Sequence, residues 1–225
     1  MGVLGAGRRP PISRRIGGLF PTSLLPFPTH YSPSSIRYSS SSSAAPPPPQ
    51  LTHIDPKTGL PSMVSVSSKL PTLRTATAIG FVYLNKTAFN LIVPSTSDAS
   101  ETTTTMKTKK GDVLLIAQLA GLMGAKLTSS LIPLCHPLPL THLSITLTPI
   151  PSTRSIEIIA TAECDGKTGV EMEALTGVSV AALTVWDMCK AVAGREMRIG
   201  GIMVVRKSGG KSGDWIREVE ESGRA

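Results

Sequence analysis

Residues 168–192 restrict the architecture more than any other stretch of the chain. Leu175, Val178, Ala182, Val185 and Cys189 recur there at helical spacing, and Thr168 with Glu171 reads as a capping box at the entrance. Gly194 is a fitting C-terminal stop. A helix this long with one apolar face cannot bury that face alone and must lie against a second layer. Strands are the available partner. Residues 78–84 (AIGFVYL) and 199–205 read as strands, and 142–148 and 155–162 as a strand pair joined through Pro149-Ile150-Pro151. A second helix opens at Gly111-Asp112 and runs to about Lys126, with Val113, Ile116, Ala117, Ala120 and Met123 on one face. Residues 92–108, rich in Ser and Thr with Pro94 among them, read as a loop or local insertion. Strands and helices interspersed in this way predict an α+β fold, a sheet with helices on one face.

Charge separates the body of the chain from its beginning. The 225 residues carry 23 basic and 15 acidic side chains, a formal +8. Residues 1–50 hold Arg8, Arg9, Arg14, Arg15 and Arg37 and no acid, which leaves residues 51–225 with 18 basic and 15 acidic groups, a net of +3. Nucleic-acid binding by counterion release needs a basic face on the folded part, and 4% aromatic residues are too few for base-stacking platforms. Ten of the 19 prolines also lie before residue 50, beside the serines at 39–43. Such a stretch buries too little apolar surface to fold. Arg-rich, Ser-rich and acid-free, it predicts a mitochondrial transit peptide and linker over 1–50, cut near Arg37-Tyr38-Ser39, ahead of a single domain over 51–220. The plainer alternative is an extension with no address. No run of 18 apolar residues suggests a membrane span, and three cysteines are too few for a disulfide framework.

Four local patterns could carry chemistry. Residues 131–138 (LIPLCHPL) hold Cys135 and His136 on a backbone stiffened by Pro133 and Pro137. A metal site is poorly supported, since Cys164 and Cys189 form no CxxC with each other or with Cys135. A buried structural cysteine and a hydrogen-bonded histidine are the plainer reading. Gly166-Lys167-Thr168 and Gly210-Lys211-Ser212 imitate the end of a P-loop, but Thr161 and Val205 stand where its first glycine belongs. The first of these loops still precedes a long helix, whose free N–H groups suit an anion, and Lys207 and Lys211 could add side-chain charge to the second. Asp187 and Lys190 share a helical face. From spacing alone they are an ordinary surface ion pair, and the alternative is a pair tuned for acid–base work. Lys109-Lys110 is equally ambiguous.

Residues 131–138 (LIPLCHPL), 166–191 (GKTGVEMEALTGVSVAALTVWDMCKA), 110–113 (KGDV) and 207–214 (KSGGKSGD), taken together, resemble the cyclic pyranopterin monophosphate synthase family of molybdenum-cofactor biosynthesis, its protein C family. The likeness runs from about Leu51-Thr52-His53-Ile54 to Trp215. It implies a ferredoxin-like α+β fold assembled as a hexamer. It also implies a phosphorus–oxygen lyase that turns 3′,8-cyclo-7,8-dihydro-GTP, delivered by a radical GTP cyclase, into cyclic pyranopterin monophosphate and diphosphate. No metal or organic cofactor is implied. Position by position, Asp187 falls on the family's active-site acid, with Lys190 and Lys110 as catalytic lysines. Leu134, Cys135, His136, Met172 and Glu173 fall on substrate-binding strips, and Lys207 and Lys211 on basic positions suited to phosphates. Ser65 stands where the family pattern has an aspartate and Leu127 where it has a basic residue. An inactive nucleotide-binding or scaffold homologue is the alternative, against which Lys110, His136, Asp187 and Lys190 all speak. Glu173 and Asp187 lie fourteen positions apart on one predicted helix, roughly 21 Å along its axis. If both serve one substrate, the site is shared between two chains.

Overall fold

A computed structural model of the chain describes residues 51–93, 112–210 and 213–217. The transit-peptide reading of 1–50, most of the expected insertion, Lys110 and Lys211 lie outside them. Within the described residues the elements follow in the order β1 (Thr72–Tyr83), α1 (Lys86–Ile92), α2 (Val113–Lys126), α3 (Thr128–Leu131), β2 (Leu140–Ile150), β3 (Ser155–Gly166), α4 (Glu171–Ala193), β4 (Arg198–Ser208) and β5 (Trp215–Ile216). The sheet has the strand order β2-β3-β1-β4-β5, with every neighbouring pair antiparallel. Two β-α-β halves wound so that β1 and β3 are central make the ferredoxin-like α+β fold.

Burial alternates along the two central strands, as one covered face requires. Arg74, Ala76, Ala78 and Val82 of β1 and Ile156, Ile158, Ala160, Ala162 and Cys164 of β3 are buried. Their neighbours Thr75, Thr77, Phe81 and Tyr83, and Glu157, Ile159, Thr161 and Glu163, are only half-buried. On this open face the Thr77 and Thr161 hydroxyls meet at 3.0 Å. The covered face carries α4, which packs on β1, β3 and β4, with α2 against α4. By length and composition α4 could cross a membrane, yet Val178, Ala182, Val185 and Cys189 are buried and it is the core helix here.

The helix α2 begins where expected, because the Asp112 carboxylate accepts from the backbone of Leu114 and Leu115. Its buried face is Val113, Ala117, Gly121, Gly124 and Ala125, whereas Ile116 and Met123, expected beside Val113 and Ala117, are exposed. The crossing with α4 is too close for larger groups. A Cβ on Gly121 would stand 2.8 Å from the Gly177 carbonyl oxygen and 2.7 Å from Ile145 Cδ1. Close approach therefore selects the smallest side chains rather than the most apolar ones.

The strands are longer than their apolar centres suggested. Pro149 lies inside β2, opposite Ile156, and the turn falls at 151–154 with Arg154 at φ 50°. Proline is tolerated because β2 is an edge strand with only β3 beside it. The short helix α1, capped by Asn85, has too few residues to show a helical period.

Candidate active site

The capping box does not form. Val170 is the N-cap of α4 and offers no side-chain hydrogen bond, while the Glu171 carboxylate reaches across to Lys207 on β4, 2.5 Å away. A half-buried ammonium offers that carboxylate more than a backbone N–H does, so the ion pair wins. The loop between β3 and α4 is held where it leaves β3. Arg74 Nε donates to the Gly166 carbonyl at 3.1 Å, and Lys167 Nζ donates to the Ser67 carbonyl at 3.0 Å.

A cavity of about 770 Å³ opens over this loop, lined by Lys69, Arg74, Lys167, Lys207 and Glu171 among others. Four cations face one carboxylate. Arg74 is only 8% exposed, and among the described residues no carboxylate lies within ion-pair distance of it. The loop after β4 closes against it. Gly210 has φ +91°, and a Cβ there would sit 1.6 Å from Arg74 Nη1, so both the backbone and the guanidinium demand glycine. Gly209 N–H donates to Asp214 Oδ1 and fixes the same loop.

A second cavity of about 230 Å³ shares Thr168, Gly169 and Glu171 with the first, so the two adjoin. Its other lining residues are His53, Leu134, Cys135, His136, Leu138, Met172 and Glu173. Cys135 N–H donates to the Ile132 carbonyl, a turn that presents Cys135 and His136 together. Glu173 is 4% exposed, and burial pushes its carboxyl above the ordinary carboxylate range, with the Glu171 charge adding to the rise. Burial, and next the Glu173 charge, likewise push the Cys135 thiol up. The small cavity thus sets imidazoles and a buried carboxyl among apolar side chains, beside a cavity of predominantly positive lining.

Five residues named from sequence thus meet at the small cavity, namely Leu134, Cys135, His136, Met172 and Glu173, and Lys207 lines the large one. Asp187 and Lys190 form an ion pair on the last turns of α4, with side chains 64% and 57% exposed, and neither lines either of these two cavities. Lys110 and Lys211 lie outside the described residues. Sequence reasoning singled out the 166–169 loop for an anion and read Glu171 as a capping residue, but it missed Arg74, Lys69 and His53 as site residues. For Arg74 a signal existed: it shares the parity of Ala76, Ala78 and Val82, and a charged group at an inward strand position asks for a ligand or a partner. Starting the strand at Ala78 hid it.

Comparison with known proteins agrees with this geometry. The model of the MoaC family matches residues 63–210. The cyclic pyranopterin monophosphate synthase of Chloroflexus aggregans is 49% identical over 169 residues, 75% of this chain and 94% of that protein. That of Brucella ovis is 48% identical over 166 residues, 74% of this chain and 93% of its own. The mitochondrial cyclic pyranopterin monophosphate synthase of Arabidopsis thaliana is 48% identical over 168 residues, 75% of this chain and 57% of its own length. With its ferredoxin-like sheet and a match over most of its length, the chain belongs to the MoaC family.

Proposed function

We propose that the chain converts 3′,8-cyclo-7,8-dihydro-GTP to cyclic pyranopterin monophosphate and diphosphate, a lyase step in molybdenum-cofactor biosynthesis that follows a radical GTP cyclase. The observation that carries this reading is the pair of adjoining cavities, one cationic and one lined by His136, Cys135 and a buried carboxyl. Lys69, Arg74, Lys167 and Lys207, joined by Lys211, neutralise the triphosphate. Leu134, Cys135, His136, Met172 and Glu173 hold the base. At the α-phosphorus the bond to the diphosphate oxygen breaks and a bond to a sugar hydroxyl oxygen forms, the hydroxyl proton passing to a base and diphosphate leaving. Asp187, Lys190 and Lys110 handle the protons of this closure and of the purine-to-pterin rearrangement. The chemistry calls on no metal or organic cofactor.

The site is shared between chains in a homo-oligomer, a hexamer in our reading. Two features support this. The Asp187–Lys190 pair is roughly 21 Å along the α4 axis from Glu173, too far for one nucleotide to bridge. Leu115, Leu119 and Met123 of α2 form an exposed apolar stripe that a single chain leaves uncovered. Mixing Glu173→Ala and Asp187→Ala proteins under subunit exchange should restore activity that neither has alone, and confirmed exchange without recovery refutes the sharing. Localisation in the mitochondrial matrix rests on the arginine-rich, acid-free composition of residues 1–50 and is tested by fusing them to a fluorescent reporter. The activity itself is tested by supplying the cyclised GTP intermediate to the purified chain and following diphosphate and pterin. Binding without turnover would move the reading to an inactive nucleotide-binding homologue.

A further inference from the structure

His53 stands before residue 63, where the match to the family model begins, yet it lines the small cavity together with His136 and Glu173. The segment that brings it there is built rather than trailing. Ile54 pairs with Pro61, and Ser62 N–H donates to the His53 carbonyl at 2.9 Å. The Asp55 carboxylate accepts from the backbone of Lys57 and Thr58 and closes the intervening turn. Downstream, Lys167 ties Ser67 to the loop that separates the two cavities. The backbone of His53 is thus spoken for, while among the described residues nothing hydrogen-bonds its imidazole.

We propose that His53 is a substrate-contacting residue, its imidazole hydrogen-bonding the polar edge of the bicyclic base held in the small cavity. The inference rests on the proposed function for the identity of that base. A fused heterocycle presents donors and acceptors along two edges, and in this cavity, where Glu171 is engaged by Lys207, His136 and Glu173 can serve one of them. An imidazole carries one donor and one acceptor when neutral, so it suits the second edge whichever tautomer is present. His53 therefore discriminates for the base and not for the phosphates, which lie in the cavity it does not line.

The contrast between two ligands tests this on the full chain by calorimetry. GTP probes both cavities, and diphosphate only the cationic one. His53→Ala should weaken GTP binding by up to about tenfold, the worth of one hydrogen bond, and leave diphosphate affinity unchanged. His53→Gln, which keeps a donor and an acceptor, should recover most of the loss. Unchanged GTP affinity in His53→Ala overturns the contact. So does an equal loss for GTP and diphosphate, which would mean that the residue only anchors the segment. If the contrast holds while the wild-type chain makes no pterin from the cyclised intermediate, the proposed function falls and the contact stands. Failure of the wild-type chain to bind GTP overturns both.

Discussion

Replacing Arg74 by methionine should move stability and ligand affinity in different directions. The guanidinium is buried, donates to the Gly166 carbonyl, and has no carboxylate at ion-pair distance among the described residues. Burying an ion without a counter-charge costs several kcal/mol after relaxation, of order 3–5. Methionine removes that cost and fills similar volume. Against this, the Gly166 carbonyl loses its donor, which costs about 1–3 kcal/mol. The difference runs from about 0 to 4 kcal/mol in favour of methionine, so Arg74→Met should leave the unfolding free energy unchanged or raise it by up to about 4 kcal/mol. Affinity has no such compensation. Each charge-assisted hydrogen bond from the guanidinium to a phosphate is worth about 1.5–3 kcal/mol, so diphosphate binding should weaken roughly 10- to 150-fold. Guanidinium chloride unfolding measures the first quantity and titration calorimetry with diphosphate the second. Destabilisation beyond about 3 kcal/mol with unchanged diphosphate affinity would refute the reasoning, for Arg74 would then be a strut between β1 and the Gly166 loop and no phosphate ligand.

The remaining expectations concern the groups around it. Because burial raises the Glu173 carboxyl above its ordinary value near 4.5, the folded state binds more protons than the unfolded one between that value and the raised one. Stability therefore falls as pH rises through that window, and Glu173→Gln should raise the melting temperature above it but not below it, as scanning calorimetry across pH would show. Loss of the Glu173 charge should also lower the raised Cys135 thiol pKa, so near neutral pH iodoacetamide should label Cys135 faster in Glu173→Gln than in the wild type, by mass spectrometry. Gly210→Ala forces a side chain into a left-handed backbone and onto Arg74 Nη1, and should cost about 1–3 kcal/mol of stability together with diphosphate affinity. Gly121→Val should cost at least about 1–3 kcal/mol in denaturant titration, since the Gly177 carbonyl it strikes is backbone and cannot turn aside.

The elements that sequence predicts well are those whose burial has a simple period. For α4 the residues Val178, Ala182, Val185 and Cys189 are buried as their spacing requires, and β3 alternates along its length. Prediction fails where a contact competes with a local rule. Thr168 and Glu171 spell a capping box, but Lys207 lies 36 positions further on and claims the carboxylate. Ile116 and Met123 outrank glycine in hydrophobicity, yet Gly121 and Gly124 are buried because α4 comes close. Neither outcome is encoded within a turn of the residue concerned. Asp187 and Lys190, by contrast, pair as their spacing predicts.

The candidate site is legible only through the register of the sheet. Thr72 pairs with Gly166, and Ala76 with Lys207, so the beginning of β1 lies between the ends of both its neighbours. An antiparallel centre strand with this connectivity must gather three chain reversals at one edge: the segment entering β1, the loop from β3 to α4, and the loop from β4 to β5. Lys69 arrives on the first, Lys167 on the second and Lys207 at the start of the third, and Arg74 points inward beneath them all. Lys69 and Arg74 on the one hand, Lys167 and Lys207 on the other, come from three distant stretches of the sequence, so no short segment holds them all. Placed together over a helix N-terminus, they set a positive field that no single motif announces. The same logic explains the Asp187–Lys190 pair. It sits at the opposite end of α4 from the gathered loops, a separation that the proposed sharing of the site between copies would bridge.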